Sequence, residues 1–547
     1  MKRILTTLYI ALATGGALFA QKDTTGKGGI DIISSFKPVL RQIAKIGFSA
    51  SPPAADTTLN PLRYEIPNQN LLFAYQPGTL RPLALAIDSG GSFQNDSYVK
   101  AGFGSLRTPY VQAGFMFGDG KTAGLNLYAR HVSSKGTRDY QQFSHTDLSM
   151  KGFFRSGNTL EWNAALGMKQ DRNYLYGYEP QTLLFPLDSL RQRFQTIHGR
   201  VAVRNLQPTA FGLTYSPDLT VDVFSDQRGN AESNTVLRLP LQKMLGTSFS
   251  VLLGATFDLT RLSPEKGSPI NNTVYSISPS LNYQGPKVRL QAGIQPSWDN
   301  GRFKLFPNIM ADISTEDKRF TFQAGWTGQV RKTTYMYLAS QNPWLQLPLR
   351  FQNTWMEERF AGFKGTVGGH VTYAAKVAFN RLNDQPLFIN DTVAAGGGRS
   401  FRVVNERRIQ VLNLGGEVGV NYQEKFSLLT RLQFNQYAGM QDHARAWGLL
   451  PLEVSSTLRM RVLQDLWVKG DLFAWSGPAY RMKDGSVGKL DGAVDLNAGL
   501  EFRIRKDIRL WTQFNNLFNT TYQRWNQYPV YGFNFTGGIV FSFRQTN

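Results

Sequence analysis

The run from Phe533 to Phe543 constrains this chain more than any other stretch. Phe533, Phe535, Gly537, Ile539, Phe541 and Phe543 take the odd positions, and Asn534, Thr536 and Ser542 fall between them. Side chains alternate faces along a strand, so this spacing makes one continuous apolar stripe opposite a small or polar face. The preceding stretch repeats the pattern, with Leu510, Thr512 and Phe514 against Trp511, Gln513 and Asn515. A soluble sandwich can carry such strands. A closing strand of this kind, reached through a turn holding Tyr522, Trp525, Tyr528 and Pro529, fits a membrane barrel better.

The same alternation recurs upstream, from about Ser97 onward. Val288, Leu290, Ala292 and Ile294 oppose Arg289, Gln291 and Gln295. Leu428, Thr430, Leu432 and Phe434 oppose Arg431, Gln433 and Asn435, and Leu458, Met460 and Val462 oppose Arg459 and Arg461. Leu500, Phe502 and Ile504 oppose Glu501, Arg503 and Arg505. A soluble β protein turns its apolar face inward, but the other face here is charged in run after run. An apolar exterior against lipid and a wet interior fit better.

Connections give an independent test. Short turns at 156–158, 207–209, 284–285, 316–317, 423–424, 464–465 and 506–507 alternate with long polar segments. The long segments are 133–142, 172–191, 263–272, 341–348, 383–405 and 476–489. Outer-membrane barrels have this asymmetry, with tight periplasmic turns and longer external loops, and counting hairpins on that basis predicts roughly 22 strands. The expected fold is an all-β transmembrane antiparallel barrel over 96–547, with both termini periplasmic. Trp355, Trp447, Trp467, Trp475, Trp525, Tyr522 and Tyr531 fall near predicted strand ends, where interfacial girdles occur. For any one of them the alternative is ordinary packing.

The first residues read differently. Met1-Lys2-Arg3, the apolar run Ile4 to Phe19 and Leu18-Phe19-Ala20 predict a signal peptide over 1–20. Residues 21–95 show no strand alternation. Within them Phe36, Val39, Leu40 and Ile43 have helical spacing, and Lys37, Arg41 and Lys45 form a basic stripe on another face. Prolines at 52, 53, 61, 67, 77 and 82 then predict an extended connection rather than a domain with its own core. A wide barrel leaks unless something closes it. The candidates are this N-terminal segment, inward-folded loops or a partner.

Several function classes drop out. The chain of 547 residues has no cysteine, which removes disulfides and thiolate sites. His131, His145, His198, His370 and His443 lack paired metal spacing, and no nucleophile elbow or phosphate-binding loop is present. No enzyme and no cofactor is expected. The net charge of +21 invites a nucleic-acid reading, but the basic residues are scattered among strands rather than gathered in a tail or helix.

The C-terminal residues Asn515-Asn516-Leu517-Phe518-Asn519, Tyr522, Trp525, Pro529, Gly532 and Gly537 to Phe543 resemble the last strands of TonB-dependent receptors. Asn353-Thr354-Trp355-Met356-Glu357-Glu358-Arg359-Phe360 and the hairpin to Phe379 are similar to that family's barrel as well. The resemblance runs from about Ser97 to Phe543 and implies a 22-strand barrel. It departs from the family ahead of the barrel, where residues 21–95 are too few for a folded plug domain. The chain therefore resembles a plugless member. Ile30-Asp31-Ile32-Ile33 can be likened to an energy-coupling box that pairs with TonB by strand addition, or is simply an apolar tetrapeptide, and TonB engagement stays open.

Two functions follow. One is uptake of a ligand across the outer membrane of a Gram-negative bacterium, with residues 36–45 occluding the lumen. Arg289, Arg431, Arg459, Arg461, Arg503 and Arg505 then either line a basic lumen that favours anionic solutes or form ladders with Glu501 and other acidic neighbours. The other is an accessory subunit of an outer-membrane assembly or secretion complex, held by partner outer-membrane or periplasmic subunits. In both, lipid surrounds the barrel, and Phe533, Phe535, Ile539, Phe541 and Phe543 form the strand on which the barrel-assembly machinery acts during insertion.

Overall fold

The computed structural model describes residues 96–544 apart from 318, 369, 392–395 and 424. The expected signal peptide, coupling box and occluding segment lie outside the described residues. One sheet gathers 23 strand segments. Two of them, Leu213–Tyr215 and Asp218–Asp226, both pair with Ala231–Leu245 and are halves of one strand. The break falls at Ser216–Pro217, where proline has no N–H to give the ladder. The wall thus has 22 antiparallel strands, each bonded to its neighbour in sequence. It closes where the first strand, Asp96–Gly104, pairs with the last, Asn534–Arg544, from Asp96↔Arg544 to Gly104↔Thr536.

The wall is inside-out relative to a soluble protein. Leu166, Ile197, Ile309, Phe379 and Leu432 stand exposed on its outer face. The inner face buries charge. Lys376 donates to Glu358 at 2.9 Å with both side chains almost fully buried, and Glu161 sits between Arg155 and Arg204, each at 2.9 Å. Such pairs add little net stability, but removing one partner strands a buried charge. Lipid offers backbone groups no hydrogen bonds, so only a closed ladder of this kind can span it. In the last strand Phe535, Ile539, Phe541 and Phe543 are exposed, as is Phe533 just before it, while Thr536 and Val540 between them are buried.

The seam of closure carries its own lock. Trp511, from the strand Ile508–Asn515, is opposite Gly538, and Gly538 is opposite Gly102 of the first strand. The indole reaches across the final strand, and its Nε1 donates to the carbonyl of Ala101 at 3.3 Å. A Cβ on Gly102 would come 2.5 Å from the ring, so glycine is required for the close approach. The Lys100 ammonium stands 3.9 Å from the centre of the indole and Tyr110 packs against it at 5.1 Å.

Short turns join the strands at one end of the barrel, the end at which Asp96 and Arg544 also lie. Gly157, at φ +59°, gives the turn 157–159 the left-handed residue it needs. Six long connections, 175–190, 332–353, 384–408, 439–451, 476–492 and 516–533, all stand at the opposite end. The short–long asymmetry and the strand number agree with the sequence reading, but strand takes up the ends of 133–142 and 263–272, leaving connections of only 136–141 and 264–269, while 439–451 and 516–533 are long. The long segments are not bare loops, however. They hold the helix Tyr335–Gln341 and three hairpins, Gln385–Asn390 with Phe401–Glu406, Ala479–Arg481 with Val487–Lys489, and Gln523–Trp525 with Tyr528–Pro529.

Candidate functional site

The long connections fold into a roof with a core of its own. Trp344 stacks on Tyr528 with ring centroids 3.8 Å apart, and Tyr176 meets them edge-on at 6.0 and 4.9 Å. Phe401 adds a tilted contact to Tyr528 and an edge contact to Trp525, and Phe388 meets Trp525 at 5.2 Å. Each aromatic pair contributes about 0.5–1.5 kcal/mol beyond the area it buries.

Where these rings come from decides what they do. Tyr176, Trp344 and Tyr528 sit on the connections that follow the fifth, thirteenth and twenty-first strands of the wall. Around a closed ring of 22 strands those points are spaced eight, eight and six strands apart. Three segments rising from separate thirds of the rim can touch only by crossing over the lumen. Polar ties hold them there. The Tyr176 hydroxyl donates to the carbonyl of Pro529 at 2.8 Å, Trp344 Nε1 to that of Tyr174 at 3.0 Å, and Gln192 Nε2 to that of Leu345 at 2.7 Å. The Tyr528 hydroxyl donates to the carbonyl of Arg399. Burial and the neighbouring Tyr176 hold the Tyr528 hydroxyl well above its ordinary pKa, so it remains a donor.

The helix Tyr335–Gln341 anchors the roof to the wall. Thr334 caps it by accepting from the Tyr337 amide at 3.0 Å. The buried carboxylate of Glu232, on the wall strand Ala231–Leu245, accepts from the amides of Tyr335 at 2.6 Å and Met336 at 2.9 Å. A carboxylate at a helix N-terminus satisfies otherwise orphaned N–H groups. A second anchor joins two connections. The fully buried Glu406 accepts from the amides of Gln441 at 2.7 Å and His443 at 3.0 Å, and lies 3.0 Å from His443 Nδ1. Burial pushes the Glu406 carboxyl up, but the amide donors outweigh it and hold the carboxyl below its ordinary pKa.

The arginines singled out in the sequence lie in varied company. Arg431 pairs with Glu417 at 2.6 Å and Arg503 with Asp465 at 2.6 Å, next to the Trp467 ring. Arg289 reaches Asp312 at 3.9 Å, and the mostly exposed Arg505 lies 3.6 Å from Asp507 at a turn. Arg459 is partly buried near Glu501, and Arg461 is half-buried one inward position further along the same strand. For Arg431 and Arg503 the ladder alternative describes the surroundings better than an open row of charge.

The expected aromatic girdle is corrected. Trp447, Trp467 and Trp525 are buried, Trp355 Nε1 donates to Asp299 at 2.8 Å, Trp475 meets Tyr522 edge-on, and Tyr531 meets Phe143. Trp447, Tyr522, Trp525 and Tyr531 sit on connections that fold inward, whereas Trp355, Trp467 and Trp475 sit at the ends of wall strands with partners inside the protein. Among the described residues Trp162, near the start of Leu160–Tyr174, and Trp326, in the middle of Phe320–Arg331, are the tryptophans that stand exposed on the outer wall. Sequence reasoning also missed the roof's rings. Their signal lay in the apolar runs Tyr335-Met336-Tyr337-Leu338 and Pro386-Leu387-Phe388-Ile389, out of place in external loops.

A cavity of about 300 Å³ opens within the roof, lined by residues including Leu175, Gln192, Arg228, Leu345, Arg399 and Ser400. Among the described residues no group of side chains is suited to hold a metal ion, and no helix is long and apolar enough to cross a membrane.

No protein-family model and no curated protein sequence matches the chain. Solved structures do. The FrpB iron transporter of Neisseria meningitidis (F3-3 variant) matches with a TM-score of 0.64 at 10% identity, over 82% of this chain and 82% of its own. The siderophore receptor PirA of Acinetobacter baumannii matches at 0.61 and 9%, over 82% of this chain and 80% of its own. A mutant of the ferric enterobactin receptor PfeA of Pseudomonas aeruginosa matches at 0.60 and 11%, over 83% and 81%. At these identities the likeness is one of fold, and the fold is the 22-strand barrel of the TonB-dependent receptors.

Proposed function

We propose that this chain takes up a ligand across the outer membrane through its barrel, with both ends of the wall on the periplasmic side. The observation that carries this reading is the roof. A simple pore leaves its mouth open, whereas here connections from three thirds of the rim cross the lumen and enclose a cavity. A binding surface over a closed duct suits capture followed by gated passage. The iron transporter and siderophore receptors that share the fold make a chelated metal ion the first ligand to try. Residues 36–45, with Phe36, Val39, Leu40 and Ile43 opposite Lys37, Arg41 and Lys45, are proposed to occlude the periplasmic mouth, and Ile30 to Ile33 to offer a strand for TonB. Lipid contact and insertion by the barrel-assembly machinery belong to the same proposal.

Uptake of labelled ferric chelates by cells with and without the chain tests it. Loss of one chelate's uptake on deletion is the expected result. Unchanged uptake, together with co-purification of a second outer-membrane protein at fixed stoichiometry, would replace it with the accessory-subunit reading. In planar bilayers the intact protein should be silent, because the roof closes one mouth whatever the N-terminal segment does at the other. Strong conductance from intact protein would count against closure.

A further inference from the structure

Two arginines in the roof line one cavity with no carboxylate among the described residues that line it. The cavity, about 300 Å³, is bounded by four separate connections or strand ends, carrying Leu175, Gln192, Arg228, Leu345 to Leu347, and Arg399 with Ser400. Arg399 Nη1 is buried without a hydrogen-bond partner among the described residues, an expensive position for a charged donor. The rest of that guanidinium is held in place, since it lies 3.8 Å from the centre of the Phe185 ring. Desolvation and the nearby Arg228 charge both lower its pKa, so the two cations repel across the space. Gln346, which lines the cavity, donates through Nε2 to Asp391 at 2.6 Å. The Ser400 hydroxyl accepts from that same amide at 2.7 Å, which leaves its own proton to donate.

We propose that this cavity is a binding site for a small organic oxyanion, a carboxylate or phosphate on an apolar stem, clamped between Arg228 and Arg399. Guanidinium forks match such groups bidentately. Ser400 supplies a third donor, and Leu175, Leu345 and Leu347 form the wall against which the stem lies. The volume admits a small molecule or one arm of a larger one. Because the two arginines stand on different connections, the anion ties those connections together when it binds. Only the ligand's fate rests on the uptake reading, and binding is tested apart from it.

The test uses the full chain in detergent micelles at low salt, titrated calorimetrically with phenyl phosphate, citrate and phenol. Binding of at least one anion, with none for phenol, is expected. Tighter phenyl phosphate assigns the site to phosphate monoesters, and tighter citrate to carboxylates. Arg399→Gln should weaken binding tenfold or more, and Arg228→Gln, at an exposed position, should weaken it severalfold. Arg228→Gln keeps the test decisive if Arg399→Gln disturbs the roof. Equal heats for phenol and the anions, or wild-type affinity in both variants, would overturn the proposal. Lost anion binding in Arg228→Gln with cellular uptake intact would leave the transport reading standing and place its ligand elsewhere.

Discussion

The wall and the roof of this molecule solve the same folding problem with opposite signs. In the wall Leu166 and Leu432 face out and the Lys376–Glu358 pair is buried inward. In the roof Tyr528, Trp525, Phe401 and Phe388 are buried against one another, as in a small water-soluble domain. A wall strand gains by exposing its apolar stripe to lipid. A roof segment gains by burying its rings away from water. One chain alternates between the two rules every few dozen residues, and the rim is where the sign changes.

The largest expected effect breaks the roof alone. Tyr528→Ala removes the ring shared by Trp344, Tyr176 and Phe401, and truncating a buried aromatic costs about 3–5 kcal/mol. The hydrogen-bonded ladder of the wall closes without that ring, so heat-modifiable migration should stay wild-type while the connections 332–353 and 516–533 become open to protease. If barrel migration fails as well, the roof and the wall are one folding unit and the contrast collapses.

The next breaks the wall alone. Leu432 is exposed near the middle of Phe426–Ala438, and Gln433 beside it faces inward opposite Glu453. Leu432→Arg should destabilise the inserted barrel by about 2–4 kcal/mol, the cost of arginine on the lipid face near midplane. Gln433→Arg gains an acidic neighbour and should migrate normally. Equal damage from both would show the register to be wrong.

These wall residues were legible in the sequence for a physical reason. Lipid on one side and water on the other impose period two on every strand, so Phe533 to Phe543 display the rule without reference to any partner. The roof obeys no such local rule. Trp344 and Tyr528 meet across the lumen from distant parts of the chain, Trp344 from a turn beyond a seven-residue helix and Tyr528 from a two-residue strand. Trp447 and Trp525 flank strands as a girdle residue would, and nothing in their immediate sequence says whether the connection beyond folds outward or in. The two cavity arginines were invisible for the same reason, being neighbours only after four connections converge.

The smallest expected effect sharpens the comparison within the roof. Glu406 has a folded-state pKa below the unfolded value, so its contribution is fully present above the ordinary glutamate range near 4.3 and fades as pH falls through the folded value. Protease nicking within 439–451 should therefore rise on acidification below about pH 4 while the wall stays resistant. Glu406→Gln, which retains one acceptor oxygen, should raise nicking at neutral pH and flatten its acid dependence. An unchanged acid profile in that variant would place the labile group elsewhere.

Trp511 has a meaning for how the barrel is completed. Its indole is covered only when the last strand lies beneath it and the first strand stands beyond, because its partner carbonyl, Ala101, belongs to the opposite end of the wall. In any sheet still open at the seam, that ring has half a surface to rest on. Its emission therefore registers a single event, the meeting of the first strand with the last, and a chain in which Trp511 is the one tryptophan retained would report the moment an open sheet becomes a sealed cylinder.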